Sequence, residues 1–229
     1  MTKTIENLFY YSALGTDLLI IFFILLFLIN HKAKTSLFII GTYSFISLLL
    51  NFLASYVSHE FLFYAYASFT FIEFSLFSAI FLIHIQNAKF KKIILLISIV
   101  FFLFLILYYS AQNNFLNIDS VPIGVETILI LVYAFYYLYE QMNDLENSFI
   151  YNKYHFWLVI GIMLYLSGSF FIYVFANHVD KETLSNFWYL TNVFYVLKNI
   201  LFGIAVIILF KQSKVPSPKS HKNMYPYLN

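Results

Sequence analysis

Cysteine is absent from the chain, which excludes disulfides and any thiolate nucleophile or metal ligand. Charge is almost as scarce: 10% of the 229 residues are charged, far fewer than a soluble domain keeps. There is no arginine, so all 13 basic residues are lysines. Only four prolines occur, and three of them lie beyond residue 210. The net charge of +2 resides in tails and loops and does not argue for nucleic acid as a partner. No fixed-period repeat and no inverted duplication of the transporter kind can be found.

What remains is apolar. Hydrophobic residues make up 62% and aromatic residues 22%, and the mean hydropathy is +0.80. Seven segments are long and apolar enough to cross a bilayer, at about 8–30, 37–58, 62–85, 93–111, 121–140, 156–177 and 187–210. The expected fold is therefore all-α, a single seven-transmembrane-helix bundle over residues 1–211, with no room for a soluble catalytic domain. Residues 212–229 are basic and proline-bearing, and read as a disordered tail. The first segment is too long for a signal-peptide core and reads as a retained signal anchor.

Sidedness follows from lysine. Lys32, Lys34, Lys89, Lys91, Lys92, Lys153, Lys211, Lys214, Lys219 and Lys222 fall on one side, Lys3 and Lys181 on the other. This places the N-terminus outside and the C-terminus in the cytoplasm. The abundance of Lys, Asn, Ile and Phe resembles an AT-rich bacterial genome, so the expected location is a bacterial inner membrane.

Two charges fall deep inside spans, Glu73 in the third and Lys198 in the seventh. A lysine at that depth costs about 2.5–3.5 kcal/mol on insertion scales, so it faces a bundle interior and a partner. The expectation is that Glu73 and Lys198 face each other. Around them, Ser44, Ser47, Asn51, Ser55 and Ser58 form one stripe on helix two, at spacings of three and four. Tyr66, Thr70, Glu73 and His84 share a face of helix three. Glu126, Tyr133, Tyr137 and Glu140 align on helix five, and Thr191, Asn192, Tyr195, Lys198 and Asn199 on helix seven. Helix one contributes Asp17. Helix four has almost nothing polar at depth and is expected at the lipid-facing edge.

Asp17, Asn51, Glu126 and Asn192 fall in the outer half of the bilayer, Glu73 and Lys198 near its midplane. Three buried carboxylates against one ammonium leave two acids that must be protonated, hydrated from outside or balanced by a cation. The pattern predicts an outward-facing acidic cavity. Its expected ligand-binding set is Asp17, Asn51, Tyr66, Thr70, Glu73, Glu126, Asn192, Tyr195 and Lys198, with no metal and no cofactor. Gly161, Ser167, Gly168 and Ser169 on helix six predict a close packing seam. Leu166-Ser167-Gly168-Ser169 superficially resembles a serine-protease elbow, but His84 and His155 lie at the cytoplasmic ends and His59 and His178 outside. A zinc site would draw on His31, His84 and His155, none of which has a histidine at i+4.

A lysine in helix seven and a carboxylate in helix three are superficially similar to the microbial rhodopsins. However, the helix-three arginine and the helix-six proline are absent, and Phe194 stands one turn before Lys198. Ile72-Glu73-Phe74, Glu126-Thr127, Phe156-Trp157, Tyr165-Leu166-Ser167-Gly168-Ser169 and Asn199 resemble small seven-helix membrane proteins of unknown function in environmental bacteria. That resemblance implies no assigned activity. The expected function is a non-enzymatic, receptor-like membrane sensor. It would take a small cationic or polar ligand and signal to a separate cytoplasmic partner, with a homo-oligomer as one assembly open to it. The alternatives are proton or cation transport, or a pore, and an intramembrane hydrolase built on the same acids.

Overall fold

A computed structural model describes residues 3–30, 35–53, 56, 59–111, 120–143, 149–176, 178–179 and 181–214. Among the described residues it contains seven α-helices, α1 Lys3–Asn30, α2 Thr35–Leu53, α3 His59–His84, α4 Ala88–Ser110, α5 Ser120–Asn143, α6 Tyr154–Phe175 and α7 Lys181–Lys214, with a short 3-10 turn at Ile150–Asn152. Among the described residues there is no strand. All seven helices are long and apolar enough to span a membrane. The expected tail beyond residue 214, and the loops at 112–119 and 144–148, lie outside the described residues.

The helix ends differ from the expectation at α7. It starts at Lys181, six residues before the apolar run, and continues through Lys214. Its 34 residues would extend about 51 Å at 1.5 Å per residue, against a hydrocarbon core of about 30 Å. Polar flanking residues therefore propagate the helix past the apolar run, where hydropathy alone draws a boundary. Residues 212–214, expected in the tail, are its last turn.

Packing follows a closed ring, α1–α2–α3–α5–α6–α7 and back to α1. α4 stands outside it, against α3 and thinly against α5. This is the peripheral place expected for the helix without deep polar groups, and its Leu95, Leu96, Ile99, Val100, Leu103 and Leu107 are exposed as lipid would require. The α3–α4 turn is anchored by α5, whose Glu140 carboxylate accepts the backbone N–H groups of Gln86 (2.7 Å) and Asn87 (2.8 Å). Asn87 in turn caps α4, its side-chain oxygen accepting from Lys89 N and Phe90 N.

The closest seam joins α6 to α7. A Cβ at Gly161 would lie 3.2 Å from the Phe202 ring, and one at Gly168 would overlap the Phe194 ring. Small residues on α6 thus let the bulky face of α7 approach, as the spacing predicted.

Candidate functional site

The ring of six helices turns its polar faces inward. Asp17, Thr70, Glu73, Glu126, Thr191, Lys198 and Asn199 are all buried, with Asp17 and Lys198 fully so. Helical periodicity explains this: residues three and four apart share a face, and lipid on the outside leaves only the interior for charge.

Lys198 sits at the centre. Its ammonium donates to the Tyr43 hydroxyl at 2.8 Å, and that hydroxyl donates to Glu73 Oε1 at 2.8 Å. The expected Glu73–Lys198 pair is therefore a relay through Tyr43, and no direct ion pair joins the two among the described residues. Three phenol rings enclose the same ammonium, with centroids at 3.6 Å (Tyr195), 4.0 Å (Tyr43) and 4.6 Å (Tyr165). Phe202 closes the cage at 5.6 Å. Ring quadrupoles stabilise a desolvated cation by about 2 kcal/mol, which helps offset the cost of leaving water.

A second carboxylate lies alongside. Tyr195 Oη is 2.9 Å from both oxygens of Asp17 and 2.6 Å from Ser47 Oγ. With one proton to give, the phenol donates to the carboxylate and accepts from the serine. Asn199 Nδ2 donates to Asp17 Oδ1 (2.9 Å) and to Thr16 Oγ1 (3.0 Å). Asp17 and Glu73 both lie in the electrostatic field of Lys198.

Glu126 is different. It is 1% exposed, and its Oε1 is buried with no hydrogen-bond partner. Its charged neighbour is the like-charged Glu73 rather than Lys198.

The remaining expected residues are less central. Thr70 is buried, but its hydroxyl turns back to the Tyr66 carbonyl, and Tyr66 itself is 47% exposed. Asn51 is half-buried and donates to the Ser47 carbonyl at 3.0 Å. Asn192 is half-buried, outside the hydrogen-bonded network. The hydroxyls of Ser167 and Ser169 bond to carbonyls of their own helix, Met163 and Tyr165, so neither is posed as a nucleophile. The expected outer serines Ser55 and Ser58, and His31, lie outside the described residues.

Tyr43 is the residue that sequence reasoning missed. It stands four before Ser47 and beside Ser44, so the stripe on α2 could have been extended to it. In a chain with 20 tyrosines its ring reads as core, and only its hydroxyl makes it a linker. No known protein family, no curated protein and no solved structure matches the chain.

Proposed function

We propose that the chain is a non-enzymatic membrane sensor module, with its lysine-rich end in the cytoplasm of a bacterium and a separate partner reading that end. One observation carries this: a single buried ammonium is linked through Tyr43 to Glu73 on α3, and is caged by Tyr165 on α6 and Tyr195 on α7. Changing the charge anywhere in the network alters what holds four helices together. A two-state bundle needs only a few kcal/mol of differential binding to switch. Glu126 supplies the input point, where a small cationic ligand would gain a carboxylate oxygen that no group among the described residues satisfies.

Glu126 also favours a second reading, a proton or cation route, since a carboxylate oxygen without a partner can take up and release a proton without breaking a hydrogen bond. The two readings separate in proteoliposomes. With methylammonium as probe, the sensor predicts a saturable change in Trp188 emission in a Trp157→Phe background, lost in Glu126→Gln, with no proton flux under an imposed potential. Proton uptake that Glu126→Gln abolishes, without saturable probe binding, would replace the sensor with the transport reading.

A further inference from the structure

At the lysine-rich end, well below the central network, two imidazoles lie face to face. His84, the last residue of α3, stacks on His155, the second residue of α6, with ring centroids 4.7 Å apart and planes 25° from parallel. Residues of α2, α5 and α6 hold them. Ser36 at the start of α2 hydrogen-bonds His84 Nε2 at 2.9 Å. The Tyr137 hydroxyl of α5 bonds His155 Nδ1. Tyr154 of α6 meets both rings edge-on, at 5.6 and 5.3 Å.

The rings are half-buried at the ends of their spans, so protons from water reach them. Stacked rings have nearly parallel in-plane lone pairs that do not converge on one metal, and no cluster of three metal-ligating side chains occurs among the described residues. Metal binding is thus disfavoured, and proton binding is what this arrangement suits.

We propose that the His84–His155 stack is a pH-sensitive latch that holds the lysine-rich ends of α2, α3, α5 and α6 together. Two neutral rings, or one charged and one neutral, stack favourably. Two imidazolium rings at this separation repel across a half-buried contact. Double protonation also makes every ring nitrogen a donor, so the Ser36 and Tyr137 hydroxyls must both turn to accept. Among the described residues, the titratable and charged groups on the elements around the pair include Tyr137 and Glu140 on α5, Tyr154 on α6 and Lys153 just before it. Glu140 already accepts the backbone N–H groups of Gln86 and Asn87, and Lys153 is engaged by Gln141 (3.0 Å). Drawing the Glu140 carboxylate toward a second proton would loosen the α3–α4 turn. This device lies outside the central network and stands whether or not a ligand binds there.

The test is the emission of Trp157, two residues from His155, in a Trp188→Phe protein held in uncharged phosphatidylcholine nanodiscs. Lowering the pH from 8 to 5, the range in which histidine changes charge, should shift the emission in one reversible transition. His84→Asn and His155→Asn, made separately, should each abolish the transition, and His178→Asn should leave it intact. Should either variant fail to fold, hydrogen exchange of the 149–160 segment in the parent at pH 7.5 and 5.5 replaces it, with faster exchange expected at the lower pH. Emission flat across the range, a transition retained in both asparagine variants, or exchange unchanged between the two pH values would each overturn the latch.

Discussion

The Tyr43 hydroxyl stands 2.8 Å from the Lys198 ammonium and 2.8 Å from Glu73 Oε1, accepting from one and donating to the other. Interposing a phenol changes what a buried ion pair does. The charges are separated by a group that polarises with both, and the phenol can shift its proton toward either side. The Tyr43 ring also packs on Phe77 at 5.0 Å, which fixes the hydroxyl's direction. A rigid linker of this kind ties the position of α3 to that of α7.

Tyr43→Phe keeps the ring and removes the linker. Both Lys198 and Glu73 then lose a charge-assisted hydrogen bond while staying buried, so the expected loss is about 2–3 kcal/mol. Lys198→Met alone should also cost, because it strands the carboxylates, yet in the Lys198→Met background Tyr43→Phe should cost much less. Unfolding in mixed micelles of the two single variants and the double variant measures that coupling. Additive effects would mean that the relay holds nothing.

Gly168→Ala should destabilise the α6–α7 seam by about 1–3 kcal/mol, because the added methyl must displace the Phe194 ring. Shrinking that ring with Phe194→Leu should recover part of the loss. At Gly15 and Gly203 no atom lies within 4 Å of an added Cβ, so alanine there should be neutral or slightly stabilising. Equal losses at all three glycines, measured in one thermal-melting series, would argue against the seam.

The crossings were legible because lipid imposes a length on apolar runs, and the inward faces because a helix repeats every 3.6 residues. These two rules suffice to bring Asp17, Glu73, Glu126, Tyr195 and Lys198 to one interior. They do not say which groups touch. Asn51 and Asn192 obey the same periodicity but end half-buried, because a stripe near a span end opens toward its rim. Tyr66 sits a turn from Thr70 on the same reading, yet its long side chain stays largely exposed. Tyr43 was hidden because a tyrosine satisfies both the apolar and the polar pattern. That Glu126 Oε1 lacks a partner while the Asp17 and Glu73 carboxylates have theirs depends on side-chain direction, which no spacing encodes.

Sidedness can be read directly because the chain has no cysteine of its own. His178 and Ser213 are both exposed, near opposite ends of the bundle. The positive-inside rule predicts that His178→Cys reacts with a membrane-impermeant maleimide in intact cells, and that Ser213→Cys reacts only after permeabilisation. The reverse pattern would put the lysine-rich end outside and remove the cytoplasmic readout from the proposal.

Glu126 is where stability and function should part. A buried carboxylate oxygen without a hydrogen bond costs the fold, and a leucine of similar bulk would join the apolar core that already holds Ile130 and Leu129 without that cost. Glu126→Leu is therefore expected to be as stable as the parent, or about 1–2 kcal/mol more so, while losing the methylammonium response entirely. Glu126→Gln should keep the shape and lose the charge, with a similar loss of response. Both should leave the Trp157 pH transition in place, because His84 and His155 lie at the far end of α3 and the near end of α6. If Glu126→Leu proves strongly destabilised in micelle unfolding, the carboxylate has a structural partner and ceases to be the input of a sensor.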